Sequence, residues 1–194
     1  TTLFRSVYTP ANDDCADAAP LSVGATAAGS TDFATEDPGA DNAGFCGTSV
    51  AAPGVWYSVT GDGTTLTLST CNPGTDYDTK LNVFTDGCGT LTCVAGDDDQ
   101  GGAFDPACDV TGNGFNRGST VSFCAQPGVE YLVLVQGFGG STGNYELSVA
   151  SDGVFCVNDN DDCADAQPLS VGAAAVGSNE FANPDPDAEN AAAC

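Results

Sequence analysis

Seven cysteines fall between residues 12 and 150, at positions 15, 46, 71, 88, 93, 108 and 124. An odd number cannot close into bridges within that stretch, so the fold must share a cysteine with residues outside it. Three more follow at 156, 163 and 194, making ten cysteines in a chain that has no histidine. Such a set points to an oxidising, extracellular or cell-surface setting. A four-thiolate zinc site is poorly seeded, because no CxxC pair exists.

The chain also restarts itself. NDDCADAAPLSVGA at Asn12–Ala25 returns as NDDCADAQPLSVGA at Asn160–Ala173, and Asn12–Cys46 aligns without gaps on Asn160–Cys194. Of the 35 paired positions 24 are identical, at a constant offset of 148 residues. The period is that of one β-sandwich domain, and residues 47–150 have no second copy. This divides the chain into an N-terminal β-strand arm at 1–11, a sandwich domain at 12–150, a connector at 151–159 and a partial second repeat at 160–194. The last piece holds one strand signal, Leu169–Val171, amid much Ala, Gly and Asp. It cannot bury enough surface to offset its ordering entropy alone. It is expected to dock on the first domain, on a neighbouring chain or on further sequence.

The repeat suggests Cys15–Cys46 and Cys163–Cys194 as equivalent bridges. Cys88 and Cys93, with GTLT between them, suit a bridge across a tight hairpin. Cys71, Cys108, Cys124 and Cys156 then remain, with three connectivities open. Tyr8 holds the place of Cys156 in the first copy, so a bridge from Cys156 would lock the connector to the first domain or reach another molecule.

Period-2 alternation marks the strands. Val55, Tyr57 and Val59 alternate in GVWYSVTG, Leu66 and Leu68 in TTLTLSTC, Leu81 and Val83 in TKLNVF, and Val121 and Phe123 in STVSF. Tyr145, Leu147 and Val149 do so in NYELSV. Residues 129–135, VEYLVLV, are apolar on both parities, which predicts a central strand covered on both faces. Gly-rich turns separate these runs. Helix signal is confined to one turn at Asp14–Ala18, capped by Asp13 or Asp14. The pattern predicts an all-β fold: an Ig-like or jelly-roll antiparallel β-sandwich, braced by disulfides and followed by the start of a second repeat unit. Trp56, the single tryptophan, reads as core or a sandwich plug rather than a binding platform.

Charge narrows the partners. The net charge is −24, with 27 acids against Arg5, Lys80 and Arg117. Nucleic acid needs clustered Lys and Arg, so it is excluded as a partner, and anionic membrane surfaces with it. No apolar run reaches transmembrane length, so membrane insertion is not expected. The lack of a signal peptide and of methionine reads as a processed or excised mature segment. No Asn-x-Ser/Thr sequon occurs, which leaves sugars to Ser and Thr.

Calcium is the one cofactor the pattern suits. Asp76 and Asp78 in TDYDT, and Asp97, Asp98 and Asp99 in AGDDDQ, lie at strand ends flanking TKLNVF and its hairpin partner, where they could converge on one rim. The alternative is that they cap turns and keep the surface soluble. DVTGNG at Asp109–Gly114 lacks the spaced acids of a calcium loop. Enzymatic readings find little: no histidine for a nucleophile system, no phosphate loop, and no carboxyl marked as the acid of a glycosidase. The expectation is a non-enzyme.

The first nine residues, TTLFRSVYT, are β-prone. Leu3 and Val7 share one parity, Phe4 and Tyr8 the other, and Pro10 ends the run. They are a first strand of the same domain, a frayed terminus, or a strand donated to the sheet edge of another subunit. GVFCV at Gly153–Val157 holds the corresponding place before the second copy.

From Gly54 to Val149 the order of signals resembles the bacterial pre-peptidase C-terminal domain family. The carrying residues are GVWYSV, DTKLNVF, the acidic GDDD at Gly96–Asp99, VEYLVLVQGFGG and GNYELSV. The resemblance covers about half the chain and implies a β-sandwich accessory module of exported or surface proteins, in some members one that binds collagen or polysaccharide. The sequence departs in its length and its cysteines. The tandem opening and the N-terminal arm are similar in architecture to pilus-like fibrils built by donor-strand exchange. The function expected is therefore an extracellular structural protein, a subunit of a surface filament whose partners are copies of itself in a helical homopolymer. The alternative is a calcium-dependent adhesion or polysaccharide-binding module, with glycans as partners.

Overall fold

The computed structural model describes residues 9–41, 43–156 and 169–172. Nine strands form two sheets: β1 (Ala19–Pro20), β2 (Thr26–Ser30), β3 (Gly54–Thr60), β4 (Thr64–Ser69), β5 (Thr79–Thr85), β6 (Thr92–Asp98), β7 (Thr120–Cys124), β8 (Glu130–Gly137) and β9 (Asn144–Phe155). Sheet A runs β1-β3-β8-β5-β6 and sheet B runs β2-β9-β4-β7. All pairings are antiparallel except the two-residue β1–β3 contact. The fold is a disulfide-braced β-sandwich. Among the described residues helix is limited to 3-10 turns at Cys15–Asp17 and Phe138–Gly140 and one turn, α1, at Pro38–Asp41. Asp14 sits at the cap position of the first turn without a side-chain bond.

The alternating residues read from the sequence form the interior. Val55, Tyr57 and Val59 of β3, Leu81 and Val83 of β5, and Val133 and Val135 of β8 face Leu66, Leu68, Val121, Leu147 and Val149 of sheet B. β8 lies at the centre of sheet A and is buried along seven of its eight residues. Its opposite parity, Leu132 and Leu134, joins Trp56 and Phe84 in a second core on the outer face of that sheet. Cys15, Ala40, Cys46 and Val50 cover it from outside. Trp56 is thus core, fully buried, beneath this cover rather than between the sheets.

Buried polar side chains pin the cover down. Asn82 donates to the Cys46 carbonyl at 2.7 Å and Gln136 to the Ser49 carbonyl at 3.0 Å. Lys80 donates to the carbonyl and hydroxyl of Ser49 at 2.6 and 2.8 Å. The backbones touch as well: a Cβ on Gly47, which has φ +69°, would lie 2.1 Å from the Gly96 carbonyl oxygen. Only glycine permits that approach.

The bridges differ from the expected pairs. Cys15 bonds to Cys88 and Cys46 to Cys93, so neither Cys15–Cys46 nor Cys88–Cys93 forms. Both cysteines of the cover segment reach the β5–β6 hairpin, because the segment lies flat over that hairpin instead of closing on itself. Cys71 bonds to Cys108 and Cys124 to Cys156. The last bridge supplies the cysteine that an odd set of seven needed. It also moves the domain edge, since β9 continues through Phe155 and residues 151–156 belong to the sandwich rather than to a connector. Leu169 and Ser170 are irregular and Val171–Gly172 form a turn, not the strand expected at Leu169–Val171; their counterparts Leu21–Gly24 do the same. Cys163, Cys194 and the arm residues Leu3, Phe4, Val7 and Tyr8 lie outside the described residues.

Candidate functional site

One end of the sandwich gathers the acidic residues. There β5 begins, β6 ends, and the β6–β7 and β8–β9 connections emerge. Carboxylate oxygens of Asp78, Asp98 and Asp99 all lie within 4.8 Å of one another. Asp78 immediately precedes β5, Asp98 closes β6, and Asp99 turns the chain away with φ +68°. The antiparallel β5–β6 pairing, which sets Lys80 opposite Asp98, is what brings these distant sequence positions together.

Arg117 holds the group from the β6–β7 connection: its Nη1 lies 3.1 Å from Asp78 Oδ2 and 3.0 Å from Asp99 Oδ2. Thr48, from the cover segment, donates to Asp98 Oδ2 at 3.2 Å. The other oxygen of each acid, Oδ1 of Asp78, Asp98 and Asp99, is shielded from solvent and has no hydrogen-bond partner. Burial, reinforced by the charge of Asp99 and only partly offset by Arg117, pushes Asp78 up to about 6. Burial raises Asp98 too, against the hydrogen bond from Thr48. Burial lowers the pKa of Lys80. Three carboxylates against the Arg117 guanidinium and the nearby Lys80 ammonium leave a net negative, oxygen-bearing rim of the kind a hard divalent cation takes. Calcium uses six to eight oxygens, so backbone carbonyls or water would complete the set.

Two of the five predicted acids serve elsewhere. Asp76 is exposed and accepts from the backbone N–H and the side-chain amide of Asn144, both at 2.8 Å, which ties the β4–β5 connection to the start of β9. Asp97 accepts from the Thr120 N–H at 2.7 Å and so links the edge of sheet A to the edge of sheet B. Asp109 caps the turn DVTGNG by accepting from the N–H groups of Asn113 and Gly114. Sequence spacing gives no hint of Arg117 or Thr48, which the fold delivers from 18 and 50 residues away.

The same end carries exposed phenylalanines: Phe33 after β2, Phe104 and Phe115 between β6 and β7, and Phe138 after β8. The Arg117 guanidinium lies 5.5 Å from the centre of the Phe115 ring.

A second feature is the edge of sheet B. β2 pairs with β9 on one side, and among the described residues no strand pairs with the other. Its sequence, TAAGS, has none of the charges, prolines or bulges that usually protect an edge. Val149 N–H donates to the Ala25 carbonyl, so the alternation of the ladder turns the backbone groups of Thr26 and Ala28 outward.

No family model matches the chain, and no curated protein matches it in sequence. Among the solved structures with distant likeness are two that illustrate its extent. One is the pre-peptidase C-terminal domain of a collagenase from Bacillus anthracis, with TM-score 0.38 and 17% identity over 68% of this chain and 93% of that one. It comes from the family that the sequence resembles. The other is CorA, a surface-associated copper-binding protein of Methylomicrobium album BG8, with TM-score 0.40 and 8% identity over 69% and 98%.

Proposed function

We propose that this protein is an extracellular structural subunit of a surface filament, assembled by β-strand addition between subunits. The arm at residues 1–9 of one subunit would lie along the β2 edge of the next. The observation that carries this reading is the outer edge of β2, where among the described residues no strand pairs with the outward backbone groups of Thr26 and Ala28. An added strand supplies a row of main-chain hydrogen bonds there. The described sandwich pairs eight cysteines among residues 15–156, none of them in the arm, which is compatible with a role for the arm outside its own unit. A contact between two different surfaces of the subunit does not close and generates a helical fibre. Four bridges suit an oxidising exterior. The test is negative-stain electron microscopy of native material beside a chain lacking residues 1–9. Fibres from the first and monomers from the second support the reading; monodisperse monomers from both overturn it.

A second reading, a calcium-dependent adhesion or polysaccharide-binding module, is favoured by the three unpartnered oxygens of Asp78, Asp98 and Asp99 beside exposed phenylalanines. Calcorimetric titration of the chelated protein with calcium tests it. Binding that Asp98→Asn removes supports it, and no heat at millimolar calcium rejects it.

A further inference from the structure

In the first unit the segment Asn12–Cys46 supplies strand β2 of sheet B and part of the cover over sheet A, and beside internal bonds such as those from Thr35 to Asp13 it is held by partners outside it. Asn12 exchanges two hydrogen bonds with the backbone of Trp56, its carbonyl accepting and its amide donating, both at 2.8 Å. Leu21 N–H donates to the Ser58 carbonyl and Gly24 N–H to that of Val149. Cys15 and Cys46 bond to Cys88 and Cys93. The second copy retains Asn12, Leu21, Gly24, Cys15 and Cys46, as Asn160, Leu169, Gly172, Cys163 and Cys194. It also retains Asp37, as Asp185, whose carboxylate accepts the Cys15 N–H at 3.2 Å.

The differences between the copies follow burial. Of the buried positions in the segment, Cys15, Leu21, Ala40 and Cys46 are unchanged and only Thr31 differs, becoming Asn179. Replacements cluster at exposed places such as Thr26, Ala28, Asp32, Glu36 and Phe45. A segment that buries the same side chains meets the same kind of surface. Yet among the described residues nothing buries Leu169, which is 64% exposed where Leu21 is 9% exposed, or Val171. The surface that buries Leu21 is built from residues 54–149, and the first unit has already filled it with its own segment.

We propose that residues 160–194 dock on another repeat unit of this protein, laid along its β3 edge and over its β5–β6 hairpin, with Cys163 and Cys194 each bridged to that hairpin and not to each other. The reading is independent of strand addition at β2. Each bridge forms when two thiols lose two protons and two electrons to an oxidant of the thiol–disulfide exchange class, the same chemistry that closes the four bridges of the first unit. The occupant is fixed by chemistry: a hairpin with two cysteines separated by four residues, beside a strand that offers carbonyls at the places of Trp56 and Ser58.

The test is peptide mapping of the native protein by mass spectrometry, without reduction and with thiols blocked at low pH. The expected result is two separate linked pairs, the peptide holding Cys163 joined to the first cysteine of an FTDGCGTLTC-like hairpin and that holding Cys194 joined to the second. Mixing isotope-labelled and unlabelled protein before assembly tells whether the hairpin belongs to the same chain or a neighbour. A direct Cys163–Cys194 link, or either cysteine recovered as a blocked thiol, overturns the proposal.

Discussion

The hydroxyls of Tyr57 and Tyr145 meet 2.6 Å apart inside the sandwich, one from each sheet. Their rings stand edge to face, with centroids 6.1 Å apart and an 81° angle between planes. Burial, and then the bond to Tyr57, raises the pKa of Tyr145. The pair needs a bare backbone beside it: a Cβ on Gly29 of β2 would sit 2.3 Å from the Tyr145 hydroxyl. Gly29→Ala is therefore expected to destabilise by about 1–3 kcal/mol through overpacking. Tyr145→Phe, which leaves one hydroxyl unpaired, should lose about 1–3 kcal/mol. Urea unfolding followed by tryptophan fluorescence measures both; an unchanged midpoint for Gly29→Ala would show that the ring moves freely.

The raised acids give a pH dependence whose sign can be worked out. The pKa of Asp78 is about 6 in the fold against 3.8 for the free side chain, so the folded state binds its proton more tightly. The stability that protonation contributes is present below about 4 and is lost as pH rises through about 6. Asp97 and Asp98 shift in the same direction, burial being the main cause in both. With divalent ions chelated, the melting temperature should therefore rise between pH 7 and pH 4.5, by roughly 2–4 °C for each kcal/mol. A flat or falling profile counts against these buried carboxylates.

Asp78→Asn separates the electrostatic cost from ion binding. In chelator at pH 7 it should be at least as stable as the parent, because it removes an ionised group that the fold disfavours. It should also lose the rise in melting temperature that calcium gives the parent. Differential scanning calorimetry with and without calcium checks both arms, and a calcium response retained in full would place the ion elsewhere.

The outward N–H of Ala28 is dispensable to the isolated sandwich but is required by an incoming strand. Ala28→Pro should keep the monomer folded, since proline is tolerated on an edge, and should abolish fibres. Circular dichroism and electron microscopy on the same preparation decide it; fibres of normal length would exclude β2 as the acceptor.

Cys124→Ala paired with Cys156→Ala should cost about 3–4 kcal/mol on the loop-entropy scale, for a closed loop of 32 residues. The loss should be localised. Phe155 is exposed and lies at the end of the β4–β9 pairing, beside the turn at Gly63, so chymotrypsin should cut the end of β9 first. Uniform cleavage throughout the domain would instead make this bridge a global brace.

Strands with large alternating side chains were legible from sequence: β3, β4, β5, β7, β8 and β9 all follow their apolar parity. β2 was not, because TAAGS packs small side chains beneath Tyr145 and leaves no alternation to read. The second core was visible only as the double parity of β8; the segment that covers it is held by glycines, a one-turn helix and hydrogen bonds to Asn82, Gln136 and Lys80, none of which has a period. The bridge partners were missed for a different reason. A repeat that retains both Cys15 and Cys46 looks the same whether they bond to each other or each to a hairpin beyond the segment. Of the five acids, Asp78, Asp98 and Asp99 converge as the strand ends implied, whereas Asp76 and Asp97 are taken by backbone N–H groups whose positions only the folded loops determine.

The bridges also set how far a unit can be stretched. Under tension between Cys15 and Cys156, load entering at Cys15 crosses at once to Cys88, and load leaving through Cys156 arrives from Cys124. Only the chain from 88 to 124 can pay out, on the order of 130 Å at about 3.5 Å per residue, and the rest of the domain stays off the load path. Units joined in tandem through Cys15 and Cys156 would yield by a fixed, short increment and then become taut.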